Sequence, residues 1–254
     1  MKIVIITQAD PFYLAKNIAY LANKLPSFVE IVGCVVSDVS PFGKRESFVK
    51  KAVKTYRVFG LRFFVRYGFR YVVSLVNKKN DVRSVLSELN IPVICLSESI
   101  NSTTSLKLIA EKSPDLLVSI GGNEIFKKPL ITLVKHGCIN LHTAPLPRYR
   151  GLMPSFWVLK NQEASTAVSV FFVDEGIDSG PILVQRQVAI LGQTQQELIE
   201  QTKKIGMDCI IEAISKIVEG ELDTIPNNDE DMTYYRFPTK SDVKEFKKVG
   251  AKFF

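Results

Sequence analysis

Asn140 and His142 stand two residues apart in the run Gly-Cys-Ile-Asn-Leu-His at 137–142, which reads as a short strand. Alternate residues of a strand project from the same face, so an amide and an imidazole leave it side by side. The amide is a hydrogen-bond donor, and an imidazole titrates near neutrality, so one site gains a donor and a base. Asp178 follows His142 by 36 residues, inside the turn Asp174-Glu175-Gly176-Ile177-Asp178-Ser179-Gly180-Pro181. A turn this rich in glycine can carry a carboxylate to the imidazole from another strand. Taken singly, each residue also has a plain reading. His142 is then a satisfied core histidine, and Asp178 a turn carboxylate capping its own backbone.

The surrounding pattern supplies the elements that must position these groups. Residues 2–7 read as a buried strand, 11–24 as a helix and Val29–Ser37 as a second strand; this βαβ opening predicts a parallel sheet. The turn after the first strand is Gln8-Ala9-Asp10-Pro11, without the Gly-x-Gly-x-x-Gly of dinucleotide-binding folds. Residues 44–77 read as irregular helix with breaks at Gly60 and Gly68. Further helices are expected over 81–89, 104–112, 128–135 and after Pro154, and strands over 91–96, 116–120, 138–142, 167–173 and 182–189. Gly121-Gly122 closes one strand, and Pro145, Pro147 and Gly151 mark an extended loop. Thr194-x-x-Glu197 has the form of a capping box, opening a helix that runs to Glu219 and stops at Gly220. A polar tail with one more helix, 242–249, follows.

Composition sets the class. With 254 residues, 46% hydrophobic and 23% charged, the chain is a folded globular protein. The apolar run after Met1 is too short for a signal peptide, and no charge-free stretch is long enough to span a bilayer. Cys34, Cys95, Cys138 and Cys209 are scattered and only two histidines are present, so buried reduced thiols, no metal site and a cytoplasmic setting are expected. The net charge of +7 is local: residues 44–79 hold eleven Lys or Arg against Glu46 alone.

Asn-x-His at 140–142, the Pro-rich loop reaching Tyr149, and the acidic Gly-rich turn bearing Asp178 resemble the folate-dependent formyltransferases. These include glycinamide ribonucleotide transformylase, methionyl-transfer-RNA formyltransferase and the sugar N-formyltransferases. The likeness is specific over about 115–190, weaker over 1–43 and slight over 44–80 and 221–254. It implies an α/β, Rossmann-like, mostly parallel sheet with helices on both faces and a short C-terminal helical extension. Residues 1–190 would form the catalytic domain with a basic helical insertion at 44–80, and 191–254 a helix and tail packed on it. It further implies attack by a neutral amine on the formyl carbon of 10-formyltetrahydrofolate. Asn140 would stabilise the oxyanion, His142 take or relay the amine proton, and Asp178 orient the imidazole, with no metal. The folate would lie against Asn123, Glu124, Ile125 and Phe126 and the turn Asp174, Glu175, Gly176. Asn123 and Glu124 read equally well as loop residues. Arg148, Tyr149 and Arg150 read as substrate contacts or as solvated loop, and His136 as an exposed helix-end residue.

The tail Tyr235-Arg236-Phe237-Pro238-Thr239 resembles that of the sugar-type enzymes, which makes a nucleotide-linked amino-sugar the expected acceptor. By the same resemblance, the transfer-RNA enzymes carry an extra C-terminal β-barrel domain that binds RNA, whereas about 34 residues follow the long helix here, so transfer RNA is the less expected acceptor. The turn after the first strand lacks the phosphate grip expected for glycinamide ribonucleotide. The other readings are a formyltetrahydrofolate hydrolase and a membrane- or RNA-binding protein on this scaffold. Arg62, Arg66 and Arg70, spaced by four among aromatics, line one helix face. Three roles stay open for that segment: packing on the core, contact with an anionic membrane surface, or binding of nucleic acid or nucleotide. A homodimer is also left open.

Overall fold

The computed structural model describes residues 1–39 and 47–254. The start of the basic segment, Lys44 to Glu46, lies outside the described residues. The main sheet has seven strands: β1 (Lys2–Gln8), β2 (Glu30–Ser37), β3 (Val93–Ile94), β4 (Leu116–Ile120), β5 (Cys138–His142), β7 (Ser165–Phe172) and β8 (Ile182–Ala189). They run in the order β3-β2-β1-β4-β5-β7-β8. The first five are parallel, whereas β7 pairs antiparallel with β5 and with β8. β1 and β4 are buried along nearly their whole length, which is why they read as largely apolar runs. Two short strands, β6 (Arg150–Gly151) and β9 (Tyr234–Tyr235), form a separate parallel pair.

One face of the sheet buries Ile3, Ile5, Val118, Ile139 and Leu141 beneath α1 (Leu14–Lys24), α4 (Val82–Glu88) and α8 (Gln195–Glu219). α1 turns Leu14, Ile18 and Leu21 inward at helical spacing. α8 begins with both halves of the Thr194–Glu197 capping box and ends at Gly220 in the left-handed conformation, as the sequence predicts. Gly206 seats α8 on β5: a Cβ there would lie 2.7 Å from a Leu141 methyl. The other face buries Val4, Ile6, Leu117 and Cys138, against α5 (Thr103–Ala110) and α6 (Lys128–Ile131). A third cluster joins α7 (Pro154–Lys160) and α9 (Lys240–Lys248) to Leu198, Phe59 and the chain end, through Phe156, Phe246 and Phe253.

The insertion is a helical hairpin, α2 (Phe48–Phe59) and α3 (Leu61–Val76), broken at Gly60, whose φ is 85°. Gly68 does not break it. The intrinsic cost of one helical glycine, about 1 kcal/mol, is outweighed by Phe63 and Tyr67, which stack at 5.5 Å on the inner face of α3. The helix expected over 128–135 stops at Ile131, and the chain then turns so that the His136 N–H reaches Asp115 O. His136 is half-buried, and Cys95 is exposed rather than buried because it follows the two-residue edge strand β3. The other three cysteines are buried and unpaired.

Candidate active site

The strand order reverses direction at β1 and β4: from β1 the chain proceeds outward through β2 to β3, and from β4 through β5. Open α/β sheets bind ligands outside the carboxyl ends of the strands at such a point. A cavity of about 370 Å³ opens there, reached by Gln8 of β1, Ser119 of β4 and Asn140 and His142 of β5.

β5 sends Ile139 and Leu141 into the core under α8. The opposite parity, Cys138, Asn140 and His142, starts in the second core face and ends in the cavity. Asn140 is half-buried, and its side-chain amide has no hydrogen-bond partner among the described residues. His142 is buried, with its ring held from two sides. Nε2 lies 2.8 Å from the carbonyl oxygen of Tyr149. A carbonyl only accepts, so this nitrogen carries the hydrogen. Nδ1 faces Asp178 Oδ2 at 3.7 Å.

Asp178 adopts φ 50°, a left-handed conformation that an Asp tolerates better than most residues. Its Oδ2 accepts from the Gly151 N–H at 2.8 Å. Gly151 itself has φ 97°, and a Cβ there would lie 2.3 Å from Tyr235 O, so only glycine fits between Asp178 and β9. Asp174 orders the same turn by accepting from Gly176 N and the Ser179 hydroxyl at 3.0 and 2.6 Å.

The remaining expected residues divide. Asn123, Glu124, Ile125, Phe126 and Gly176 all line the cavity. Ile125 is exposed and presents an apolar wall, whereas Phe126 is buried in the core. The polar ends of Asn123 and Glu124 are taken up by neighbouring loops: Asn123 donates to Asp38 O, and Glu124 accepts from the Ser99 hydroxyl and Ile100 N–H. Asp174 and Glu175 line an adjoining cleft of about 940 Å³, which meets the cavity at Gly176. The side chains of Arg148, Tyr149 and Arg150 do not reach the cavity. Arg148 pairs with Glu163 at 3.5 Å on the surface. Tyr149 stacks on Tyr235 and gives its hydroxyl to Glu163, and burial, above all, pushes its pKa above the ordinary tyrosine value. Arg150 is buried and pairs with Asp229 at 2.7 Å.

Three residues escaped the sequence reading. Asn227 donates to the carbonyls of Asp178 and Gly180 at 2.9 and 2.8 Å, fixing the turn. Thr233 accepts from Tyr149 N–H at 2.8 Å, and Ser169, opposite His142 across the sheet, donates to Ala144 O at 2.7 Å. Asn227 and Thr233 lie in the polar tail, where composition alone signals nothing. Among the described residues, no cluster of His, Cys, Asp or Glu is arranged to hold a metal ion.

A family model described as formyl transferase matches residues 69–214, more than half of the chain and the whole span from β5 to the Asp178 turn. The chain is 33% identical over 165 residues to a methionyl-tRNA formyltransferase of Thermodesulfovibrio yellowstonii, covering 65% of this chain and 53% of that one. A second, from Alkaliphilus oremlandii, is 34% identical over 152 residues, covering 59% and 49%. The chain thus spans about half the length of these relatives. Among solved structures, glycinamide ribonucleotide transformylase 1 from Symbiobacterium toebii superposes with a TM-score of 0.62 at 16% identity, covering 89% of this chain and 92% of that one. An N-formyltransferase from Helicobacter canadensis, in complex with folinic acid and dTDP-3-aminofucose, superposes at 0.58 and 15% identity, covering 98% and 80%. The mostly parallel sheet with helices on both faces, expected above, is the fold shared with these proteins.

Proposed function

The chain belongs to the formyl transferase family, and from that premise we propose that it moves a formyl group from 10-formyltetrahydrofolate to the amine of a small acceptor, a nucleotide-linked amino-sugar. The observation that carries this reading is the convergence of Asn140, His142 and Asp178 on one cavity. The cavity suits the co-substrate: Ile125 offers an apolar wall for a flat ring, and the adjoining cleft at Gly176 leaves room for a long ligand.

In this reading the amine attacks the formyl carbon and the bond from that carbon to the folate nitrogen breaks. The unpartnered Asn140 amide donates to the oxygen as it becomes negative, a role usually worth about 3–4 kcal/mol. His142 Nδ1 accepts the amine proton and passes it to the leaving nitrogen. The imidazolium formed in between donates to Tyr149 O and faces the Asp178 carboxylate. Residues 1–190 are the catalytic unit, and 191–254 a helix and tail packed on it.

The acceptor assignment rests on the tail. Phe237 lines the cavity, and Tyr235 stacks between Tyr149 and Trp157 at 5.1 and 4.7 Å, so the segment likened to the sugar-type enzymes borders the site. Methionyl-transfer RNA is the second reading, favoured by the relatives at 33–34% identity. The deciding experiment incubates the protein with 10-formyltetrahydrofolate and, separately, a panel of nucleotide amino-sugars and charged initiator transfer RNA. A gain of one CO unit on a nucleotide sugar supports the first reading. Transfer to the RNA alone replaces its acceptor, and formate release without any amine replaces transfer by hydrolysis.

A further inference from the structure

The helical hairpin α2–α3 is anchored by one face only. Phe63 stacks on Phe59 at 4.5 Å and packs edge-on against Phe253 at 4.9 Å, and Lys247 donates to Phe59 O at 3.2 Å. Arg66 and Arg70 lie over the Phe254 ring, at 4.9 and 5.5 Å, and Arg70 also covers Phe12. Two of the three arginines spaced by four are thus engaged with aromatic rings of the body and chain end.

The outer face of α3 is different. Leu61, Val65, Phe69, Val72 and Val76 recur every three or four residues and each exposes 60% or more of its surface. On α2, Phe48 and Tyr56 are exposed yet touch Tyr71 and Phe64 of α3, so the apolar surfaces of the two helices adjoin. Exposed Val49 and Val53 extend the patch. Five consecutive positions of one stripe left in water are not the scattered exposure of an ordinary surface. Charge frames the patch: residues 47–79 contain nine Lys or Arg and no Asp or Glu. Arg57 and Arg62 are exposed beside it.

We propose that the outer face of the α2–α3 hairpin docks on an anionic phospholipid bilayer. Aliphatic side chains at the centre of the face would enter the acyl boundary, and the basic rim would meet the headgroup phosphates. A second copy of this chain is disfavoured by charge, because a two-fold interface would set this acid-free basic rim against itself. A phosphate polymer would be matched by cations at the centre of the face, where the structure has Leu, Val and Phe. No helix among the described residues is long and apolar enough to cross a membrane, so the contact is interfacial. The side of the hairpin opposite the docked face adjoins the candidate active site. Lys51 of α2 donates to Val39 O, Lys54 lies 4.9 Å over the Phe237 ring, and both Val39 and Phe237 line the cavity.

The test is co-sedimentation of the whole chain with vesicles of phosphatidylcholine, alone or mixed with phosphatidylglycerol. Binding only to the mixed vesicles is expected. The V65D/F69D variant, changed at two exposed positions, should fall to the phosphatidylcholine level, and R57Q/R62Q should bind roughly thirtyfold more weakly. Circular dichroism and formyl transfer to a soluble amine should be unchanged in V65D/F69D, which separates this result from any failure of the activity. The proposal is overturned if mixed vesicles are not bound, or if V65D/F69D binds them like the parent, since charge alone would then explain retention. It is also overturned if light scattering finds a parent dimer that V65D/F69D dissolves, because a second copy would then own the face.

Discussion

Arg150 and Asp178 do not touch, yet Asn227 ties one to the other. The Arg150 Nη2 donates to the backbone and side-chain oxygens of Asn227 at 2.9 and 3.0 Å, and the Asn227 amide donates in turn to the carbonyls of Asp178 and Gly180. Asp229, on the same tail segment, accepts from Arg150 Nη1. A buried guanidinium therefore holds the segment that holds the Asp178 turn. Asn227→Ala removes two hydrogen bonds to the turn and leaves Arg150 short of a partner. Each buried bond to a charged group is worth about 1.5–3 kcal/mol, so urea denaturation should show a loss of that order. If Asn227 positions Asp178, turnover should fall while the KM for the amine holds; a stability loss with unchanged kcat would mark it as structural only.

His142→Ala removes the atom that accepts the amine proton, and transfer should fall at least about a hundredfold. Asp178→Asn is the finer probe. The amide oxygen of the introduced side chain can still accept from Gly151 N–H, so the turn should survive, but the negative charge 3.7 Å from Nδ1 is gone. Loss of turnover in this variant with an unchanged melting temperature places the effect on the imidazolium. Near-normal turnover in either variant rejects the assigned roles.

Asn140→Ala tests the oxyanion donor. Because the amide has no partner among the described residues, its removal should cost little stability. The predicted cost is about a hundredfold or more in kcat, with folate binding near the parent value. Equal losses in kcat and in folate affinity, measured by single-turnover kinetics and fluorescence titration, would mean that the amide binds ground state and transition state alike.

What the sequence disclosed followed from periodicity. β1 and β4 were readable because burial on both faces demands largely apolar runs, and the Asn140–His142 pairing because a strand fixes which side chains share a face. The Thr194–Glu197 cap was readable because it is a local bond within one turn. The buried tasks of Tyr149 and Arg150 were not readable. Their partners, Tyr235 and Asp229, lie 86 and 79 residues away, and only the β6–β9 pairing brings them together. The role of the hairpin stayed open for the opposite reason: periodicity marks an apolar face but not what covers it.

Gly151→Ala should be far costlier than its size suggests. The new methyl would meet Tyr235 O at 2.3 Å, and φ 97° is a conformation that alanine rarely adopts. Relief requires β6 to part from β9, which also withdraws the N–H from Asp178. Loss of turnover together with a lowered melting temperature is expected. A stable and fully active G151A would show that Asp178 keeps its position without this bond.

Glu197 gives a pH signature with a definite sign. Its pKa is held below the ordinary carboxylate value by the Thr194 backbone N–H, with the Thr194 hydroxyl adding to it. A carboxylate depressed in the folded state contributes stability above its unfolded value, about 4.3 for glutamate. That contribution is lost as the pH falls through the lower folded-state value. The parent should therefore exceed Glu197→Gln in urea midpoint at neutral pH, and the gap should close in acid. Because Glu197 caps the helix that seats on β5 through Gly206, the same variant should show faster amide exchange in the first turn of α8 at neutral pH. A midpoint difference that persists unchanged into strong acid would assign the effect to packing of the side chain rather than to its charge.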